Sequence, residues 1–229
     1  MFLKSLFISL SLVLSLLSSP QSQASIIEAT FDNGTEGFRL FGGTTTSAPQ
    51  FSNNGFIFAT DLANSFSGFG FLASSAFLGD LSGAFGQEFS FDLSSSGGGA
   101  LVAPTDSLFS FFNGNQSITF VGSVDPSGIF STVNAVLEES SNFIFRTDID
   151  ATSPFIIRGG DITATNDDIR NVLSNVTDIR ISGDLRFGID TASLDNVRLN
   201  LVPEPNSIAV LALGLVLIPL VMRRTNRQE

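Results

Sequence analysis

Between residues 25 and 202 the chain carries twenty carboxylates and seven Arg, and over its whole length it has no His and no Cys. The chemistry open to such a set is that of carboxylate oxygen: proton transfer by a facing pair, or attraction of hard divalent cations. Much else is excluded. Without His or Cys there is no zinc centre of the usual kind, no Ser-His-Asp or Cys-His nucleophile, no haem or iron–sulfur ligation and no disulfide. A glycoside-hydrolysing pair needs two carboxylates about 5 to 10 Å apart. Twenty acids produce some such pair by chance, so their number singles out none. The formal charge of the same stretch is −13, and from Leu40 to Phe145 eight acids occur without one positive residue. Such a surface repels nucleic acid and anionic lipid, which reward Lys and Arg. It suits a soluble exported protein.

The elements that must position these carboxylates read as strands. Residues 26–31, 56–60, 89–93, 108–111, 117–121, 143–146 and 185–187 are short apolar or alternating stretches separated by Gly, Asn, Asp and Ser. Phe89 with Phe91, and Phe109 with Phe111, stand at alternate positions, which puts each pair on one face of its strand. Those faces are expected to fill the core. Ser94 to Gly99 reads as a turn or loop. Ile169, Val172, Leu173 and Val176 fall at helical spacing behind Thr165 or Asn166 as N-cap, with Asp167 and Asp168 in the first turn. Strand alternation resumes at Asp178. The expected fold is all-β: a β-sandwich with one short helix, large enough to bury a core without disulfides.

Both ends look like address segments. Lys4 precedes an apolar, Ser-rich run from Leu6 to Leu17, and small residues follow at Ser22 and Ala24. This order predicts a signal peptide over 1–24, cut between Ala24 and Ser25. The run has 12 residues, short for an anchor that needs about 20. At the other end Pro203-Glu204-Pro205 precedes an apolar stretch from Ile208 to Met222, then Arg223, Arg224 and Arg227. The Arg cluster predicts that the tail end stays cytoplasmic while everything before it is exported. The segment 202–229 resembles the PEP-CTERM sorting signal of bacteria that secrete exopolysaccharide. That resemblance implies recognition of Pro-Glu-Pro by an exosortase, with the C-terminal helix held in the inner membrane until the tail is processed. A plain single-pass anchor is the alternative.

The body, 25–201, resembles a second family. Phe31-Asp32-Asn33-Gly34-Thr35-Glu36-Gly37-Phe38, Ala76-Phe77-Leu78-Gly79-Asp80, Phe89-Ser90-Phe91-Asp92-Leu93, the run Val172 to Ile181, and Ser193-Leu194-Asp195-Asn196-Val197-Arg198-Leu199 are similar, in this order, to landmarks of the laminin B (type IV) domain. Phe38 stands where that family usually has Trp, and Phe85-Gly86 where it usually has Tyr-Gly. The resemblance implies a jelly-roll-like sandwich in adhesive or matrix company, and no activity. Jelly-roll modules of this kind often hold a structural Ca²⁺ between an acid just after the first strand and one in the last. The matching positions are Asp32 and Asp195, with Glu28 nearby. The alternative is that Asp32-Asn33-Gly34 is a turn and Asp195-Asn196 caps the last strand. No other cofactor is implied.

The functional expectation is therefore an exported, non-enzymatic protein of the cell surface or extracellular matrix. Its expected partners are signal peptidase and exosortase during export, then exopolysaccharide or other surface proteins. A secreted polysaccharide-binding module is the main alternative, weakened by the absence of Trp and Tyr for sugar stacking, and a glycan-processing enzyme is a third.

Overall fold

Period-two alternation in the Phe-rich stretches becomes strand pairing in two antiparallel sheets. The computed structural model describes residues 24–42, 48–61, 68–101, 107–147 and 162–202. The apolar N-terminal run, the Pro-Glu-Pro motif, the C-terminal helix and the Arg cluster lie outside the described residues. In chain order the strands are β1 (Ser25–Ala29), β2 (Arg39–Phe41), β3 (Gln50–Ser52), β4 (Phe56–Thr60), β5 (Gly70–Leu72), β6 (Glu88–Gly97), β7 (Ser107–Asn113), β8 (Gln116–Val121), β9 (Ser131–Val136), β10 (Phe143–Arg146), β11 (Ile162–Thr163), β12 (Asp178–Ser182) and β13 (Asp190–Leu201). Helix α1 (Asn166–Leu173) lies between β11 and β12.

The first sheet has the order β3-β4-β13-β6-β9, and β1 pairs with the far half of β13. The second runs β11-β10-β8-β7-β12-β5-β2. The spine of the first sheet is β13, which pairs with β4 through 191–194, with β1 through 197–201 and with β6 along its other side. The last strand therefore touches both the beginning and the middle of the chain, and whatever it carries is placed by three other strands.

The inward alternation works as the sequence predicts. Phe89 of β6 lies between Phe109 and Phe111 of β7, with ring centroids 4.9 and 5.1 Å away and the rings edge to face. Phe91 meets Phe109 at 6.0 Å in the same geometry. Edge-to-face contact sets the positive rim of one ring on the negative face of the next, so a core of Phe alone still packs specifically.

Three expectations are corrected in detail. Ser94 to Gly97 continues strand β6 instead of forming a turn, because Asp190 to Ser193 of β13 pair with that stretch and supply its backbone hydrogen bonds whatever the side chains. Leu185-Arg186-Phe187 is not a strand: Arg186 makes one bridge, to Leu101, and Phe187 is exposed. Helix α1 ends at Leu173, before Val176, because Val176 and Gly79 exchange backbone hydrogen bonds of 2.7 and 2.8 Å. The helix start is as expected: Thr165 is the N-cap, its hydroxyl accepting from Asp168 N–H while the Asp168 carboxylate accepts from Thr165 N–H at 2.9 Å.

Candidate functional site

The outer face of the first sheet carries a polar concavity of about 250 Å³ lined by Ser90, Phe91, Asp92, Thr132, Asn196 and Arg198. Its shape comes from a bulge in β13. Asp195 pairs with Asp92 and Arg198 with Ser90, so Asn196 and Val197 together oppose one residue of β6. Asn196 takes the left-handed conformation (φ 49°), which Asn tolerates better than most side chains. Val197 stays in the core, and Asn196 Nδ2 donates to Asp92 Oδ2 at 2.9 Å. Thr132 Oγ1 donates to the other Asp92 oxygen at 2.6 Å. Beside the concavity, Phe130, just ahead of β9, meets Phe56 of β4 edge-on at 5.4 Å, although β13 and β6 lie between those two strands. Phe56 in turn lies 6.1 Å from Phe58. Polar donors and acceptors next to a half-exposed aromatic ridge can engage a flat, hydroxyl-rich ligand.

Asp32 and Asp195 come within electrostatic reach of each other. Burial pushes the Asp195 carboxyl above its usual range, and the charges of Asp92 and Asp32 push the same way, against a 2.7 Å hydrogen bond from Asn196 N–H. Asp32 Oδ2 accepts from Thr30 Oγ1 at 2.8 Å. Glu28 is engaged elsewhere: it sits opposite Arg198 in the β1–β13 register, with the Arg198 guanidinium 3.6 Å from its carboxylate. Asp195 and Asn196 lie at a bulge inside β13, which continues to Leu201, so they do not cap the strand.

A tighter carboxylate group lies elsewhere. Asp61, Asp184 and Asp190 each place an oxygen within 4.8 Å of the others, and all three are buried. Asp61 extends the inward alternation of Ile57 and Ala59 one step beyond β4. Asp190 opens β13 on the inward side that it shares with Ala192 and Leu194. Asp184 follows β12 in the opposite sheet, and its backbone N–H donates to Phe69 carbonyl at 3.1 Å. Gly68 N–H donates to Asp184 Oδ2 at 3.0 Å, and Ser95 Oγ to Asp190 Oδ2 at 3.2 Å. The sequence held a signal for two of the three: the period-two patterns of β4 and β13 put Asp61 and Asp190 at inward positions.

Burial pushes the Asp190 carboxyl up to about 7; Asp184 and Asp61 raise it further, while the Ser95 hydroxyl and Leu185 N–H oppose. Its ordinary value is 3.8. A carboxyl raised in the folded state contributes stability that is fully present below the unfolded value and lost as pH rises through the folded one. With no divalent cation in solution, the melting temperature of the full-length protein is therefore expected to fall from about pH 4 to about pH 7 more steeply than that of Asp190→Asn. Parallel melting curves for the two proteins across that window contradict this reading.

The model of the family described as Laminin B (Domain IV) matches residues 70–211, from β5 through the whole of β13. The chain belongs to the laminin B family. Among solved structures, the L4b domain of human laminin α2 overlaps 80% of this chain and 99% of its own at 12% identity, with a TM-score of 0.56. At that identity the likeness shows the fold: the jelly-roll-like sandwich of the laminin B domain. The N-terminal cellulose-binding domain of a Cellulomonas fimi β-1,4-glucanase overlaps 82% of this chain and 100% of its own at 16% identity, TM-score 0.37. A family 11 carbohydrate-binding module from a Clostridium thermocellum cellulase overlaps 81% and 99% at 15% identity, TM-score 0.38. Overlaps at those two scores establish no common fold. No curated protein matches in sequence. The family match begins after the Phe31–Phe38 landmark and spans the bulge at Asn196.

Proposed function

We propose that this laminin B domain is a non-catalytic module exported to the cell surface or extracellular matrix. In this reading it is cut by signal peptidase after Ala24 and handed by its Pro203-Glu204-Pro205 tail to an exosortase-type system. Membership of the laminin B family is the observation that carries the adhesive part. The acidic body and the two address segments support the export part. After an inner-membrane intermediate held by the C-terminal helix, the mature protein resides on the outer surface or outside the cell.

The concavity at the β13 bulge favours a partner class, polysaccharide. Asp92, Thr132, Asn196 and Arg198 offer hydroxyl-binding groups on one outward face, and Phe130 with Phe56 supplies an apolar flank. Phe lacks the polar tip of Trp or Tyr, so the hydrogen bonds must come from the neighbouring side chains. Pull-down of the full-length protein on the exopolysaccharide of its own host tests this. Retention is expected, and Phe130→Ala is expected to weaken it roughly tenfold, the value of about 1.4 kcal/mol of stacking. Phe130 is 38% exposed, so its loss leaves the core intact. Equal retention of parent and variant removes the face from the binding surface, and absence of retention leaves other surface proteins as the partner.

A further inference from the structure

We propose that Asp61, Asp184 and Asp190 form a calcium site that pins the two sheets of the sandwich together at the end where β13 begins. Asp190 opens β13 and Asp61 follows β4 in the first sheet, while Asp184 follows β12 in the second, so an ion shared by the three closes the gap between the layers. The 4.8 Å limit on their mutual oxygen separations fits within a calcium sphere, in which oxygens on opposite sides of the ion stand about 4.6 to 5.2 Å apart.

An acidic cluster alone makes no site, and here a second observation points to a ligand. Asp190 is 1% exposed, its side chain aims into the group, and its Oδ1 has no hydrogen-bond donor among the described residues. A buried carboxylate oxygen in that condition costs far more than a neutral acceptor would, and two further carboxylates close by make the cost larger. The groups facing Asp190 are Asp61 at the end of β4, Asp184 after β12, the Leu185 N–H beside it, and the Ser95 hydroxyl of β6. Arg186 meets this corner at Ser95, to whose Oγ its Nε donates at 3.2 Å. That positive charge stands one side chain away from Asp190, with Ser95 between them. A cation among the three oxygens gives Asp190 Oδ1 a partner.

The donor set selects the ion. Carboxylate and hydroxyl oxygens exclude the thiophilic metals, and the burial of all three acids leaves little room for the waters that Mg²⁺ retains. Calcium takes six to eight oxygens in flexible geometry, and three carboxylates supply up to six when bidentate. The site is separate from the Asp32–Asp195 pair. Asp195 points to the outer face, five residues along β13 from Asp190, a distance of about 17 Å in an extended strand.

The test uses full-length protein stripped with chelator and titrated with CaCl₂ or MgCl₂, with bound ion counted by equilibrium dialysis and melting followed in parallel. The expected result is calcium binding that Asp190→Asn reduces by about one ion per chain, as loss of one three-carboxylate sphere requires. Asp195→Asn keeps that ion. Calcium at a hundredfold excess over Kd should raise the parent's melting temperature by roughly 5 to 11 °C, and Mg²⁺ at the same concentration by much less. In chelator Asp190→Asn should melt no lower than the parent, because it removes a buried charge. If Asp190→Asn does not fold, Asp61→Asn read by the same ion count decides. An ion count unchanged by the substitution, a parent that binds no calcium, or equal shifts with calcium and magnesium overturns the proposal.

Discussion

Phe89→Ala is expected to lower the unfolding free energy by about 3 to 5 kcal/mol, the range for truncating a fully buried Phe. Phe89 is 0% exposed and touches Phe91, Phe109 and Phe111 at centroid distances of 5.7, 4.9 and 5.1 Å. With Phe91 it joins β6 of one sheet to β7 of the other. Two terms add: apolar area returned to water, and a cavity that neighbouring strands cannot collapse into because both sheets fix their spacing. Phe89→Leu retains most of the volume and should cost under about 1.5 kcal/mol. For a domain of this size the Ala variant should melt roughly 6 to 20 °C lower. Denaturant unfolding of the full-length protein measures both variants. A loss below about 1 kcal/mol for Phe89→Ala means that the ring cluster does not hold the sheets together.

The second large effect is on sorting. Glu204→Ala is expected to abolish release of the protein while leaving export intact. In the proposed reading the N-terminal signal acts first, and the apolar stretch from Ile208 to Met222 with its Arg cluster then stops the chain in the membrane. Removal of the charged residue between two prolines takes away the one side chain of the motif that can make a charge-assisted contact with the processing enzyme. Fractionation of host cells should show full-length Glu204→Ala in the membrane fraction and none in the medium. Release equal to the parent's excludes Glu204 from the recognition set.

How much of this was legible in the sequence depends on which force placed each residue. Strands whose inward face is Phe or Ile, such as 56–60, 89–93 and 108–111, announce themselves because burial of those side chains and the period of the strand coincide. Strand β9, Ser131–Val136, leaves little trace in the sequence: its buried Val133 and Ala135 are small and its outward Thr132 and Asn134 are polar, so the pattern is faint. Ser94 to Gly97 misled for a related reason, since partner strands and not its own side chains hold it extended. The capping box at Thr165 and Asp168 was readable because it is local, a contact across three residues.

The acids divide the same way. A resemblance points to Asp32 and Asp195, and in the fold the charges of Asp92 and Asp32 both act on Asp195. Asp61, Asp184 and Asp190 each look in the sequence like an ordinary loop acid at a strand end. Only the pairing of β4 with β13, and the closure of β12 over them, sets the three face to face. Strand parity could have marked Asp61 and Asp190 as inward, but it could not have supplied Asp184 from the other sheet.

The most direct measurement is the mass and location of the protein as its own host makes it. Intact-mass analysis of the surface and medium fractions is predicted to find a chain that starts at Ser25 and ends before Ile208. A species that starts at Met1 in the cytoplasm, or a surface species that retains Met222 and the Arg cluster, contradicts the account of an exported and processed surface module.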